Sequence, residues 1–274
     1  MPAPARFRRL VLAVAHGEAG PATLRAAAEA ARLLRLALHC VLIEDEALHL
    51  LPALSFAREL RLPTHEWRPL NPAHLAQDLA ATEAALRRDL AAIAARLGIA
   101  QALEVQRGDP ELCMGGLCVA GDIVVLAAAP AGRPHLAARL HHAALHSAAA
   151  VLLLPAAPPP PAAPVAVLLS GPDDPALATA ARIALDSGAI LLAVLAAGDS
   201  GAVAQRAAQL GIGADRLVVR AAAGHRLPAL AAALGVTRVQ LLVLDPAAWD
   251  GADDDGPGLA EALSHARGVP VLLL

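Results

Sequence analysis

Short apolar runs alternate with longer amphipathic stretches along this chain, and the alternation occurs twice. Arg8–Ala15 is an apolar run of strand length, broken by Gly17-Glu18-Ala19-Gly20-Pro21. Apolar positions then recur at helical spacing from Leu24 to Leu36, interspersed with Arg25, Arg32 and Arg35. Leu38–Ile43 reads as a second strand, closed by Glu44-Asp45-Glu46. The pattern goes on to predict a long helix over Leu75–Leu97, a strand over Leu103–Gln106 and a helix over Pro110–Val119. Asp122–Ala128 is the most apolar strand; a helix over Pro134–Ser147 and a strand over Ala149–Leu154 close the series.

Prolines at 155, 158, 159, 160, 161 and 164 then mark an extended, stiff linker. The second series follows it. Val165–Leu169 reads as a strand, and Asp174 is placed to cap a helix with Pro175 at its first position. That helix runs to Ser187, followed by a strand over Ile190–Ala196, a helix over Ala202–Leu210 and a strand over Leu217–Val219. Helices over Pro228–Leu234 and Leu259–Arg267 alternate with strands over Val239–Leu244 and Val269–Leu274.

Each series is therefore β-α-β-α-β-α-β-α-β. The strands are continuous apolar runs, the mark of strands covered on both faces, and strands separated by helices give a parallel sheet. The expected fold class is α/β, with two tandem doubly wound five-stranded parallel-sheet domains of Rossmann-like type. Domain 1 spans 1–155, the Pro-rich linker 156–164, and a shorter domain 2 spans 165–274. The first series carries an extra segment at about 46–74, with Phe56, Trp67, Pro52, Pro63, His49 and His65. Such an insertion is a lid, a binding loop or an interface element, or else a packed surface excursion.

Composition narrows the chemistry. Apolar residues are 57% of the 274, yet aromatics are 1%, so the core must be aliphatic. All 22 basic residues are arginine and there is no tyrosine. A P-loop lysine, a Schiff-base lysine and a catalytic tyrosine are excluded. Few aromatics argue against a stacking surface for single-stranded nucleic acid. The net charge of −3 argues against a general nucleic-acid or anionic-membrane binder. Cys40, Cys113 and Cys118 form no disulfide framework, which fits a reducing cytoplasm. The apolar run after Arg6, Arg8 and Arg9 is too short for a signal-peptide core, and the prolines within Ala148–Ser170 forbid a continuous helix, so no membrane span is expected.

Several phrases resemble the universal stress protein family. Val105-Gln106-Arg107-Gly108-Asp109-Pro110 looks like that family's third strand running into G-D-P. Asp122-Ile123-Val124-Val125-Leu126 looks like its fourth strand. Ala150–Pro155 and Val269–Leu274 resemble its closing strand. The resemblance covers nearly the whole chain except 46–74. It implies an adenine nucleotide alpha hydrolase-like fold, a non-enzymatic regulatory or stress-response role, and domain 1 packed on domain 2 as a pseudo-dimer through the closing strands. A homodimer and an unidentified protein partner are also open.

Nucleotide-binding members of that family carry an Asp after the first strand and G-x2-G-x9-G-[ST] after the fourth. This chain departs from both. His16 stands where the Asp would be, followed by Gly17, and the fourth strand leads into Ala127-Ala128-Ala129-Pro130-Ala131-Gly132-Arg133-Pro134. In the second series Ser170 replaces the Asp, and the acidic stretch at 250–255 would repel a triphosphate. Glycines admit a phosphate to bare backbone, and alanine and proline remove that room. The expectation is no obligatory cofactor and at most a vestigial nucleotide site in domain 1, at His16, Gly17, Ile43, Ala127, Gly132 and Arg133. The alternative is a sensor that binds ATP, AMP or another anion there and signals through 46–74. A slow nucleotide hydrolase ranks last, since no general base with a metal is evident.

Other constellations read plainly. Arg133 and His135 could hold an anion at a helix start, or be solvated loop residues. His142 and His146 have chelating spacing but no acidic or cysteine companion, so no metal site is expected. Cys113 and Cys118 lack C-x-x-C spacing, and no serine lies in G-x-S-x-G.

Overall fold

The computed structural model describes residues 7–15, 20–61, 65–117, 119–127, 144, 147–155, 162–249 and 256–274. His16, Gly17, Gly132 and Arg133 lie outside the described residues, as do His135, His142, His146, Cys118, the acidic stretch 250–255 and most of the helix expected over 134–147.

The first series holds β1 (Arg9–Ala15), α1 (Pro21–Leu34), β2 (Ala37–Asp45) and the short α2 (Glu46–Leu50). The insertion continues with a hairpin, β3 (Arg58–Arg61) and β4 (Glu66–Pro69), before α3 (Pro72–Leu97). Then come β5 (Gln101–Gly108), α4 (Pro110–Leu117), β6 (Asp122–Ala127) and β7 (Ala150–Leu154). The second series holds β8 (Val165–Leu169), α5 (Ala176–Ser187), β9 (Leu191–Leu195), α6 (Ser200–Gln209), β10 (Leu217–Ala221), α7 (Leu227–Leu234), β11 (Leu241–Leu244), α8 (Gly256–Arg267) and β12 (Val271–Leu273).

Ten strands form one sheet in the order β10-β9-β8-β11-β12-β7-β6-β1-β2-β5. The protein is thus α/β, with a large and mostly parallel sheet. Within each series the order is third, second, first, fourth, fifth. Every pairing is parallel except β12 with β7, where Val271, Leu272 and Leu273 face Leu153, Leu152 and Val151. That single reversal turns the carboxyl ends of the first five strands away from those of the second five.

Consecutive burial explains the parallel sheet. Leu10, Val11 and Leu12 are all buried, as are Val165 to Leu169 without a break. Such strands need cover on both faces. One face is covered by α1, α3, α5 and α6, packed on Leu10, Leu12, Cys40, Val167 and Leu272. The other is covered by α4, α7 and α8, packed on Val11, Ile43, Val124, Leu242 and Val271. The alanines of α1 at 27, 28 and 31 are fully buried, so that helix lies close on the sheet.

Local chemistry sets the helix ends. Asn71 accepts the Ala73 N–H at 2.9 Å to open α3, and Gly98 closes it at φ 65°. Two boundaries differ from the sequence expectation for identifiable reasons. β2 runs on to Asp45, because its ladder with β5 continues through Glu44–Arg107 and Asp45–Gly108 beyond the apolar run. Pro175 stands at the cap of α5 rather than at its first residue, while Asp174 still accepts the Ala176 N–H at 2.9 Å.

Candidate functional site

In a doubly wound sheet, ligands bind beyond the carboxyl ends of the strands where the strand order reverses. Here the chain reverses between β1 and β6, and again between β8 and β11.

At the first crevice, Ala15 pairs with Ile43, so the ends of β1 and β2 lie side by side. Ile43 is buried in the core that Val11, Val41 and Met114 share. Ala127 ends β6 opposite Leu154 of β7. The remaining expected site residues, His16, Gly17, Gly132 and Arg133, lie outside the described residues.

Next to Ile43 stands a residue that the sequence pattern did not single out. Glu44 is buried, at 3% exposure. Its Oε2 accepts the Arg107 Nε–H at 2.8 Å and lies 3.3 Å from His49 Nε2. Arg107 is its register partner on β5, and His49 is on α2, the first turn of the insertion. Asp45 caps the same short helix by accepting the Ala47 N–H at 2.9 Å. The strand end and the start of the insertion are thereby tied by a cap and an ion-pair cluster. Glu44-Asp45-Glu46 looks in sequence like a polar stop; only the distant Arg107 shows that one of the three is buried.

Further along this edge, Asp109 accepts the N–H groups of Glu111 (2.9 Å) and Leu112 (3.3 Å), so a carboxylate of the protein sits at the α4 N-terminus. Gly108, at φ 152°, leaves room for Cys113, because a Cβ there would stand 3.2 Å from its Sγ. Burial, and then the charge of Asp109, push the Cys113 thiol up from its ordinary pKa. A thiol so protonated is a poor nucleophile.

The second crevice is filled by its own side chains. Asp174, 7% exposed, accepts the Ser170 N–H at 2.9 Å and the Ser170 hydroxyl at 3.1 Å through Oδ2, while Oδ1 takes the Ala176 N–H. The amides that a phosphate would seek at the start of α5 already face a carboxylate. After β11, Trp249 is 2% exposed and packed in the core. The His225 ring meets it edge-on with centroids 5.6 Å apart, and the Trp249 indole N–H has no hydrogen-bond partner among the described residues. A phosphate brought to the Ser170 and Ala176 amides would meet the Asp174 carboxylate.

Among the described residues, no group of three or more His, Cys, Asp or Glu is placed to hold a metal ion. Among them too, no helix is long and apolar enough to cross a membrane.

No family model and no curated protein matches the chain. Among solved structures it is similar to MurG of Acinetobacter baumannii, at 13% identity, covering 97% of this chain and 85% of that chain with a TM-score of 0.22.

Proposed function

We propose that this chain is a regulatory, non-enzymatic protein of the universal stress protein kind, working in the cytoplasm. Its second half would be structural, and its first half would hold at most a vestigial nucleotide site. The observation that carries this reading is the self-filled second crevice, where Asp174 takes the amides of Ser170 and Ala176 and Trp249 is buried beyond β11. The duplicated strand order and the antiparallel contact of the two closing strands support the same reading. Isothermal titration with ATP and AMP at millimolar concentration tests it. The expected result is no saturable heat and no ATP turnover; steady turnover would overturn it.

A second reading has its own support. Glu44, Asp45 and His49 couple the end of β2 to the insertion, so a ligand of the first crevice could act on 46–74. A sensor of an adenine nucleotide or another anion would give saturable heat together with altered hydrogen exchange over 46–74. Heat without that exchange response would remove the signalling part.

A further inference from the structure

β3 and β4 form a two-stranded antiparallel sheet that no other strand joins among the described residues. A lone hairpin of this size is marginal in water. The hydrogen bond from Leu70 N–H to the Ala57 carbonyl, 3.2 Å, sets its parity. With the register Glu59–Arg68 and Leu60–Trp67, the pairs 57–70, 59–68 and 61–66 bond across the hairpin. Leu60–Trp67 and Arg58–Pro69 fall between them. The backbone N–H and C=O of Trp67 therefore point to the outer edge of β4.

The same parity sorts the side chains. Leu60 and Trp67 share one face of the hairpin, 42% and 63% exposed. Glu66 and Arg68 share the other and form an ion pair. Phe56, 77% exposed, and Leu50, 61% exposed, belong to the same insertion. Only four large rings occur in the sequence, Phe7, Phe56, Trp67 and Trp249, and two of them stand in water here. Exposed apolar surface with a polar rim marks an interaction site.

The sequence of β4 indicates what covers it. A strand can pair antiparallel with a copy of itself about a two-fold axis. With the axis at Trp67, each Trp67 N–H reaches the Trp67 carbonyl of the second copy, and Glu66 of each copy faces Arg68 of the other. Glu-Trp-Arg is thus charge-complementary to itself in that register. An axis at Glu66 or Arg68 would pair backbone groups that already face β3. Pro69 has no N–H to offer on the outer edge, which ends the ladder after the Trp67 bonds.

We propose that β4 docks on β4 of a second copy of this chain, forming a four-stranded antiparallel sheet and a two-fold homodimer centred on Trp67. Its face would carry Leu60 and Trp67 of both copies in one apolar row, with the indoles as neighbours.

Sedimentation of the full chain across a concentration series tests this, and a reversible monomer–dimer equilibrium is expected. Trp67→Ser is expected to give monomer. Glu66→Arg and Arg68→Glu each set like charges face to face, weakening self-association by roughly tenfold or more. Mixed together, these two charge variants are expected to reassociate, because each then meets the opposite sign. Iodide quenching of tryptophan adds an independent readout, since Trp249 is buried and quenching reports Trp67. Unchanged thermal unfolding of each variant shows that the main sheet is intact. A monomer at every concentration would overturn the proposal. So would a dimer of undiminished affinity in Trp67→Ser or in either charge variant alone, or a mixture that associates no more tightly than its components.

Discussion

Arg9 on β1 donates its Nε–H to the buried Oδ2 of Asp122 on β6 at 2.9 Å, at the amino ends of two strands whose carboxyl ends frame the first crevice. Asp122 is fully buried, and Arg8 lies 3.4 Å from its other oxygen. From Arg9 the polar chain continues to His39 Nδ1 at 3.2 Å, and from His39 Nε2 to Glu104 Oε2 at 3.1 Å. It crosses four neighbouring strands at the end of the sheet away from the site, so its work is structural.

Removing Arg9 strands a buried carboxylate. Arg9→Ala is expected to cost about 3 kcal/mol, the low end for a broken buried pair because Arg8 remains. Urea unfolding reads this as a lower midpoint at unchanged slope. Asp122→Asn should cost less, since it leaves no buried charge.

Asp174 gives a two-part prediction. Asp174→Ala removes an accepting group from three donors, and a loss of about 2 kcal/mol is expected from the cap alone. It also frees the amides of Ser170 and Ala176. Thermal unfolding of the variant should therefore rise with added inorganic phosphate, while the parent protein stays indifferent.

Acid should weaken one edge slightly. The hydrogen bond from Gln106, and then that from His39, hold the Glu104 carboxyl below its ordinary pKa of 4.5. A depressed folded-state pKa gives stability that is present above the unfolded value and is lost as pH falls through the folded one. The effect is small because the Glu104 side chain is 47% exposed. Carboxyl titration by NMR should show Glu104 moving up toward 4.5 in Gln106→Ala.

Thiol labelling should separate the folded and unfolded states. Burial pushes the Cys40 thiol up to about 12, so it should not react with a disulfide reagent at neutral pH until the sheet unfolds. Cys113 is also held protonated, first by burial and then by Asp109. Asp109→Asn removes a nearby negative charge, so its alkylation profile should move toward lower pH without reaching the ordinary thiol value.

The fold was legible wherever a local pattern decides the outcome. Unbroken apolar runs such as Val165–Leu169 can only be strands covered on both faces, and Asp174 before Pro175 announces a cap through chemistry contained in a few residues. Burial set by distant partners was not legible. Glu44 is buried because Arg107 and His49 meet it, and Asp122 because Arg8 and Arg9 do. Neither pairing has a spacing signature, and a strand-end acid usually faces water. Trp249 was visible as a ring but not as a buried one, because its seat is built by distant residues, α8 and the His225 ring among them. Of the expected site residues, Ile43 and Ala127 stand at the ends of β2 and β6, the two strands that flank β1, with Ile43 turned into the core.

The antiparallel seam between β7 and β12 also bears on how the chain comes to be folded. β7 is completed well before β12 has left the ribosome, and until then Val151, Leu152 and Leu153 form an open apolar edge. An early first half must hold that edge exposed while the whole second half is made, the interval in which stray strand pairing is most dangerous. Stopping synthesis short of Val271 would leave the edge open for good. Such truncated chains should depend on chaperones and aggregate through β7, although nearly every other pairing in the sheet could still form.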